Sequence, residues 1–176
     1  MAEKVEAAVL DATSAQAALD VLVKQEKVLR FACFGAGEAF KLGSVVVALA
    51  PEFGEGLSVT ITRESDGVRM FQWVADDRTE KNLLFAEGKR AAARKAGHAS
   101  PWLQLEGVIA GDAGSVWGNV PAEVPACGAF PIRVGDEWVA TVAVSGYMEG
   151  LDHEVILRAF ERVLGVEVPR WDAPVA

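Results

Sequence analysis

Gly128-Ala129-Phe130-Pro131-Ile132-Arg133-Val134, Gly135-Asp136-Glu137 and Trp138-Val139-Ala140-Thr141-Val142-Ala143-Val144, followed by Ser145-Gly146 and by Asp152-His153, is the stretch whose reading decides the fold. A short apolar run carrying one charge is turned back on itself by Gly-Asp-Glu, the signature of a hairpin. The returning run is apolar on both faces, which predicts a central strand. Ser145-Gly146 ends it. Asp152 is then placed to cap a helix in which Leu151, Val155, Ile156, Ala159, Phe160, Val163 and Leu164 recur at helical spacing, with Gly165 just past the end.

Upstream, Leu57-Ser58-Val59-Thr60-Ile61-Thr62-Arg63 alternates, and Asp66-Gly67 turns it into Val68 to Val74, a second hairpin. Between the hairpins, Asp77-Arg78-Thr79 opens a long helix through Leu83, Leu84, Ala86 and Ala91 to Ala93. Its basic run, Lys89, Arg90, Arg94 and Lys95, reads equally as a solvated face or as an anion-facing one. Pro101 to Leu105 starts a short helix, and Gly107 to Ala126 is a connector long enough to be functional or packed on a neighbour. Towards the N-terminus, residues 3–10 read as a helical lead-in, Thr13-Ser14-Ala15-Gln16 as a capping box and Val28 to Phe31 as a first strand. Gly35-Ala36-Gly37 leads into a helix stopped by Pro51 and Gly54. It lacks the third Gly and the Lys-Ser/Thr of a phosphate loop. The order is an α+β domain with a five-stranded, mostly antiparallel sheet, a single domain over 1–176: an N-terminal helical segment (1–26), a core (27–165) and a tail (166–176).

The chain carries 17 Lys and Arg against 25 Asp and Glu, a net charge of -8. That balance disfavours sequence-independent binding to nucleic acid or to an anionic membrane. Cys33 and Cys127 lie far apart and outside any CxxC, which argues for packing residues, a reducing compartment and no zinc site. No apolar run approaches the length of a membrane helix and the first residues do not read as a secretory signal, so the expected location is cytoplasmic.

Chemistry rests on few residues. His98 and His153 are the only histidines and so the candidate metal ligands. His98 follows the basic helix, whose Lys89, Arg90 or Arg94 could meet ligand carboxylates; Asp152 beside His153 could fix that ring's tautomer. Against ligation stands the ordinary role of a histidine near a helix end. Ser145, His153 and Asp152 are the right types for a hydrolase, but adjacent residues of a helix point apart and Val144-Ser145-Gly146 is not a nucleophile elbow. No catalytic residue is assigned. Ser145-Gly146 reads instead as a strand exit where backbone comes close to a neighbour. Arg133 interrupts an apolar strand and needs a partner, either a ligand carboxylate or an Asp or Glu of the chain. The five tryptophans read as core or interface anchors.

Gly128-Ala129-Phe130-Pro131-Ile132-Arg133-Val134, Thr141-Val142-Ala143-Val144-Ser145-Gly146 and Asp152-His153 resemble the signature of the HbpS-like haem-degrading domain family, in its small bacterial and fungal branch. Asn82-x-x-Phe85-x-x-x-Lys89 and Gly97-His98-Ala99-Ser100 are similar to that branch's N-x-x-W-x-x-x-K and G-H-S-S. Phe85, Ala99 and the Tyr147-Met148-Glu149 step depart from its pattern. The resemblance covers about Val28 to Gly165. It implies a profilin-like α/β/α sandwich that forms homo-oligomers and binds haem or a related small ligand, with degradation in some relatives. Lys89, Arg133, Ser145, Gly146, Asp152 and His153 would line a pocket between the terminal helix and the sheet. The alternative is a non-enzymatic oligomeric scaffold or chaperone-associated module, in which the same residues hold a subunit interface.

Overall fold

In the computed structural model of the chain, residues 10–54, 56–111, 121–147 and 150–171 are described. The expected lead-in before Leu10, the middle of the connector, Trp117 and the Met148-Glu149 step lie outside them. The elements run α1 (Ala12–Val28), β1 (Arg30–Phe31), α2 (Ala36–Leu49), a 3-10 turn (Ala50–Phe53), β2 (Ser58–Arg63), β3 (Arg69–Val74), α3 (Glu80–Ala96), α4 (Trp102–Ile109), β4 (Ala129–Val134), β5 (Glu137–Ser145) and α5 (Leu151–Leu164).

Both hairpins form. Gly135, with φ +58, supplies the left-handed conformation that a two-residue turn between Val134 and Glu137 requires. β5 is the middle strand of the sheet, whose order is β1-β4-β5-β2-β3; every pairing is antiparallel except β1 with β4. This is an α+β fold with the expected mostly antiparallel sheet, and central placement explains why β5 is apolar at positions facing both ways.

The two sheet faces are packed differently. On one, Val59, Ile61, Phe130, Ile132, Val142 and Val144 meet the apolar faces of α2 and α5 and make the main core. On the other, Ala129 and Ala143 meet Ala86 and Ala93 of α3. Alanines let α3 lie close to the sheet, so its register is set more by the polar pairs at its rim than by bulky side chains. α4 packs on α1 and, more lightly, on α3.

Three local expectations are corrected. Asp11, not the Thr13-Ser14 pair, caps α1: its carboxylate accepts the Ser14 N–H at 2.7 Å, and Thr13 and Ser14 fall inside the first turn. Val28 is the last residue of α1, so the first strand begins only at Arg30. Asp152 is not the cap of α5. Gly150, at φ +80, precedes the helix, and the Asp152 carboxylate turns back to accept the Tyr147 N–H at 2.9 Å. The helix end is as expected, with Gly165 in the left-handed conformation at φ +70. The residues after it are packed: Val168 is buried, and Arg170 bonds Glu154 and Glu161.

Candidate functional site

Gln25 and Glu26 in the last turn of α1, both buried, continue the stripe of Ala15, Ala18, Leu19 and Leu22 by the three- and four-residue steps of a helix face. Each polar head holds one of the chain's two histidines. Glu26 Oε1 accepts the Ala99 N–H at 2.8 Å, and Oε2 lies 3.0 Å from His98 Nδ1. A carboxylate that already accepts at one oxygen receives a proton-bearing nitrogen at the other, so Nδ1 carries the hydrogen and Nε2 is left with the lone pair. The ring stacks on Trp102, with centroids 3.7 Å apart and planes 14° apart. Its side chain is 34% exposed, so a group in solution can reach it.

One cation stands next to His98, and it rests on a second indole. Arg133 donates to the carbonyl of Gly97 and to that of Asp136, each at 3.2 Å, and lies 5.3 Å over the ring of Trp138. The expected Asp or Glu partner is thus replaced by carbonyls and a ring face, because the α3 C-terminus presents its last oxygens there. Trp138 with Glu64 and Arg94 lines a groove of about 200 Å³, and with Phe34, Arg63, Glu64, Ser65, Glu137 and Val139 a larger one of about 430 Å³. Arg94, 56% exposed, extends from α3 to within 3.2 Å of Glu64.

His153 is in a different setting. It is 1% exposed, its ring 4.9 Å from Trp171 and 5.7 Å from Phe130. Nε2 lies 3.0 Å from Gln25 Oε1, and the Gln25 amide in turn donates to Pro169 O at 2.8 Å. Nδ1 is buried with no partner. Burial, with a smaller contribution from Arg170, pulls this imidazole down to about 3, so it is neutral at ordinary pH. Asp152 does not hold its tautomer, as the sequence had suggested; Gln25 does.

Asp152 pairs with Lys89. Nζ donates to Asp152 Oδ2 at 2.5 Å and to Val144 O at 3.0 Å, both side chains being buried. Burial pushes the Asp152 carboxyl up, opposed by Lys89 and by the N–H groups of Tyr147 and Gly146. Gly128, at φ +123, leaves the room this pair occupies: a Cβ there would stand 2.6 Å from Val144 O and 2.9 Å from Nζ. Ser145 and Gly146 are the adjacent strand exit, where a Cβ on Gly146 would meet Gly56 O and Leu57 Cα at 2.9 Å. Lys89, Ser145, Gly146 and Asp152 therefore come together, while Arg133 and His98 form a separate cluster and His153 lies in the core. The rest of the basic run is engaged as well: Arg90 bonds Glu64 through two 3.0 Å contacts, and Lys95 bonds Glu123 at 2.7 Å.

Cys127 is buried, and burial pushes its thiol up to about 12, as an inert packing residue requires. Cys33 is exposed, against the expectation that it packs. Of the tryptophans, Trp73 is largely exposed and Trp102, Trp138 and Trp171 are partly buried, so none of these four is a fully enclosed core anchor. No described helix is long and apolar enough to cross a membrane.

The family model described as "Haem degrading protein HbpS-like" matches residues 34–161. A UPF0303 protein of Rhizobium johnstonii is 29% identical over 155 residues, covering 85% of this chain and 93% of its own. Among solved structures, that of the Ybr137w protein superposes with a TM-score of 0.73 at 22% identity, over 88% of this chain and 94% of that one. A PduOC:heme complex superposes with a TM-score of 0.59 at 16% identity, over 78% and 97%. At such identities these structures show the shared fold.

Proposed function

Because this chain belongs to the HbpS-like family, we propose that it binds haem, or a related planar anionic tetrapyrrole, through His98. The observation that carries the reading is the Glu26–His98 pair: a partly exposed imidazole whose second nitrogen is held by a buried carboxylate. Metal-ligating histidines are oriented and made more basic in this way. A haem iron brings four ligands of its own and asks the protein for an axial nitrogen, an apolar wall and cations for its propionates. His98 Nε2, the indoles of Trp102 and Trp138, and the guanidinium groups of Arg133 and Arg94 are residues of those kinds, gathered beside the α3 C-terminus. The heme complex of a structural relative with the same fold supports this choice of ligand.

In this reading His153, enclosed between Phe130 and Trp171, serves the core, and the Lys89–Asp152 pair clamps α3 to the start of α5. The ligand site is thereby read not at the terminal helix but beside the C-terminal end of α3. Haemin added to the purified chain should elute with it at one per chain on a sizing column. Binding that survives unchanged in His98→Ala would remove the proposal.

A further inference from the structure

β3 is an edge strand guarded only at its start, by the charge of Arg69 and by the register slip that leaves Met70 as an extra residue; from Phe71 to Val74 it has no proline, no charge and no bulge. The hydrogen-bond parity of the hairpin says which of its backbone groups are spare. Ala75 N donates to Leu57 O, so in the alternating antiparallel pattern Trp73 and Phe71 direct their N–H and C=O towards β2. Gln72 and Val74 direct theirs outward.

The side chains beside this edge are apolar. Trp73 is 48% exposed and Phe40 of α2 67% exposed, with Phe40 standing edge-on against Phe71 at 6.4 Å. Gly43 lets α2 lie against β3: a Cβ there would stand 2.4 Å from the Phe71 ring. Along α2, Phe40, Ser44 and Val47 follow at helical spacing. Val47, Ala50 and Pro51 border a groove of about 290 Å³ beside Trp73.

We propose that this edge pairs with the same edge of a second copy of the chain, antiparallel across a two-fold axis at Gln72. The surface is complementary to itself in that register. Gln72 faces Gln72, exchanging the outward backbone bonds, and Phe71 of each copy faces Trp73 of the other as a close, non-hydrogen-bonded aromatic pair. Arg69, which within its own chain donates to Gln72 at 2.6 Å and pairs with Glu87 at 2.5 Å, comes beside Asp76 just past the partner strand's end and would add a second carboxylate to that group. One layer away, the two α2 helices run antiparallel with Ser44 near the axis. Phe40, carried by Phe71, then points at the groove beside the other copy's Trp73. Opposite charges at the two ends of one strand and a projecting ring at one end of α2 with a groove at the other are what a two-fold contact needs. The pairing extends the five-stranded sheet to ten strands and is independent of any haem.

The register is tested by disulfide trapping. Residues facing each other as a hydrogen-bonded pair have Cα atoms about 5.5 Å apart, within disulfide range. In a Cys33→Ser background, Gln72→Cys should give a covalent dimer under mild oxidation, while Val68→Cys, beyond the paired segment, should not. Trp73→Lys, at an exposed position, should halve the mass seen by sedimentation velocity at micromolar concentration, with an unchanged circular dichroism spectrum. A chain monomeric at 100 μM, or an assembly whose mass is unaffected by Trp73→Lys and whose Gln72→Cys form stays uncrosslinked, would overturn the proposal.

Discussion

The carboxylate of Glu26 and the imidazole of His98 meet at 3.0 Å across 72 positions of sequence, with the second carboxylate oxygen fixed by the Ala99 N–H. The geometry sets the His98 tautomer before any ligand arrives. Glu26→Gln keeps the shape of the side chain but withdraws the charge that raises ligand basicity. Haemin affinity should fall about tenfold or more, as for other outer-shell partners of ligating histidines, in a titration followed at the Soret band. An unchanged affinity would show that Glu26 only packs.

In the proposed complex Arg133 and Arg94 would meet ligand carboxylates rather than iron. Replacing either with Gln should weaken haemin binding by about 1.5- to fivefold, the range for partly exposed charged contacts, and leave the position of the Soret maximum where it was. A shifted maximum would instead mean that these residues touch the metal site.

His153 makes stability depend on pH. In the unfolded chain its imidazole takes a proton near 6.5; in the fold it does so only near 3. The unfolded state thus binds the extra proton first, so this contribution is complete above pH 7 and is lost as pH falls from 6.5 towards 3, by about 1.4 kcal/mol per unit. Unfolding free energies from urea titrations at pH 7 and pH 5 should differ by about 2 kcal/mol more in the wild type than in His153→Gln. Equal differences in the two proteins would contradict the assignment.

Lys89 and Asp152 depend on one another. Lys89→Met leaves a buried carboxylate without its cation and should cost about 3–5 kcal/mol; the double variant Lys89→Met, Asp152→Leu should recover part of that loss. Gly128→Ala should destabilise as well, because the added methyl needs the space of Nζ and Val144 O in a left-handed backbone. Chemical denaturation of these proteins, with Asp152→Leu alone to close the cycle, checks the set. Additive losses in the double variant would mean that the two charges are not coupled.

Much of this architecture was legible before the structure. The hairpins at Asp66-Gly67 and Gly135-Asp136, the central place of Trp138 to Val144 and the α5 stop at Gly165 are each written in a few adjacent residues, where turn chemistry and hydrophobic period act locally. The site was less legible for a physical reason. Asp152 stands beside His153 in sequence, yet consecutive helix residues diverge, and the two side chains find Lys89 and Gln25 instead. The holders of both histidines lie on α1, 72 and 128 positions away. Gln25 and Glu26 did leave one signal, two polar residues on the buried stripe that begins at Ala15. A buried amide and carboxylate at the end of an apolar face demand partners, and the only histidines are obvious ones. Arg133 needed a partner too, but carbonyls at a helix end carry no sequence signature.

The central claim is that His98 Nε2 is the ligating nitrogen. Its most direct test is the haemin complex of His98→Gly, recorded across the Soret band before and after adding free imidazole, beside wild type and His153→Phe. His98→Gly should lose the coordinated spectrum and regain it with imidazole, while folded His153→Phe keeps the wild-type band throughout. A wild-type spectrum in His98→Gly without imidazole would contradict it.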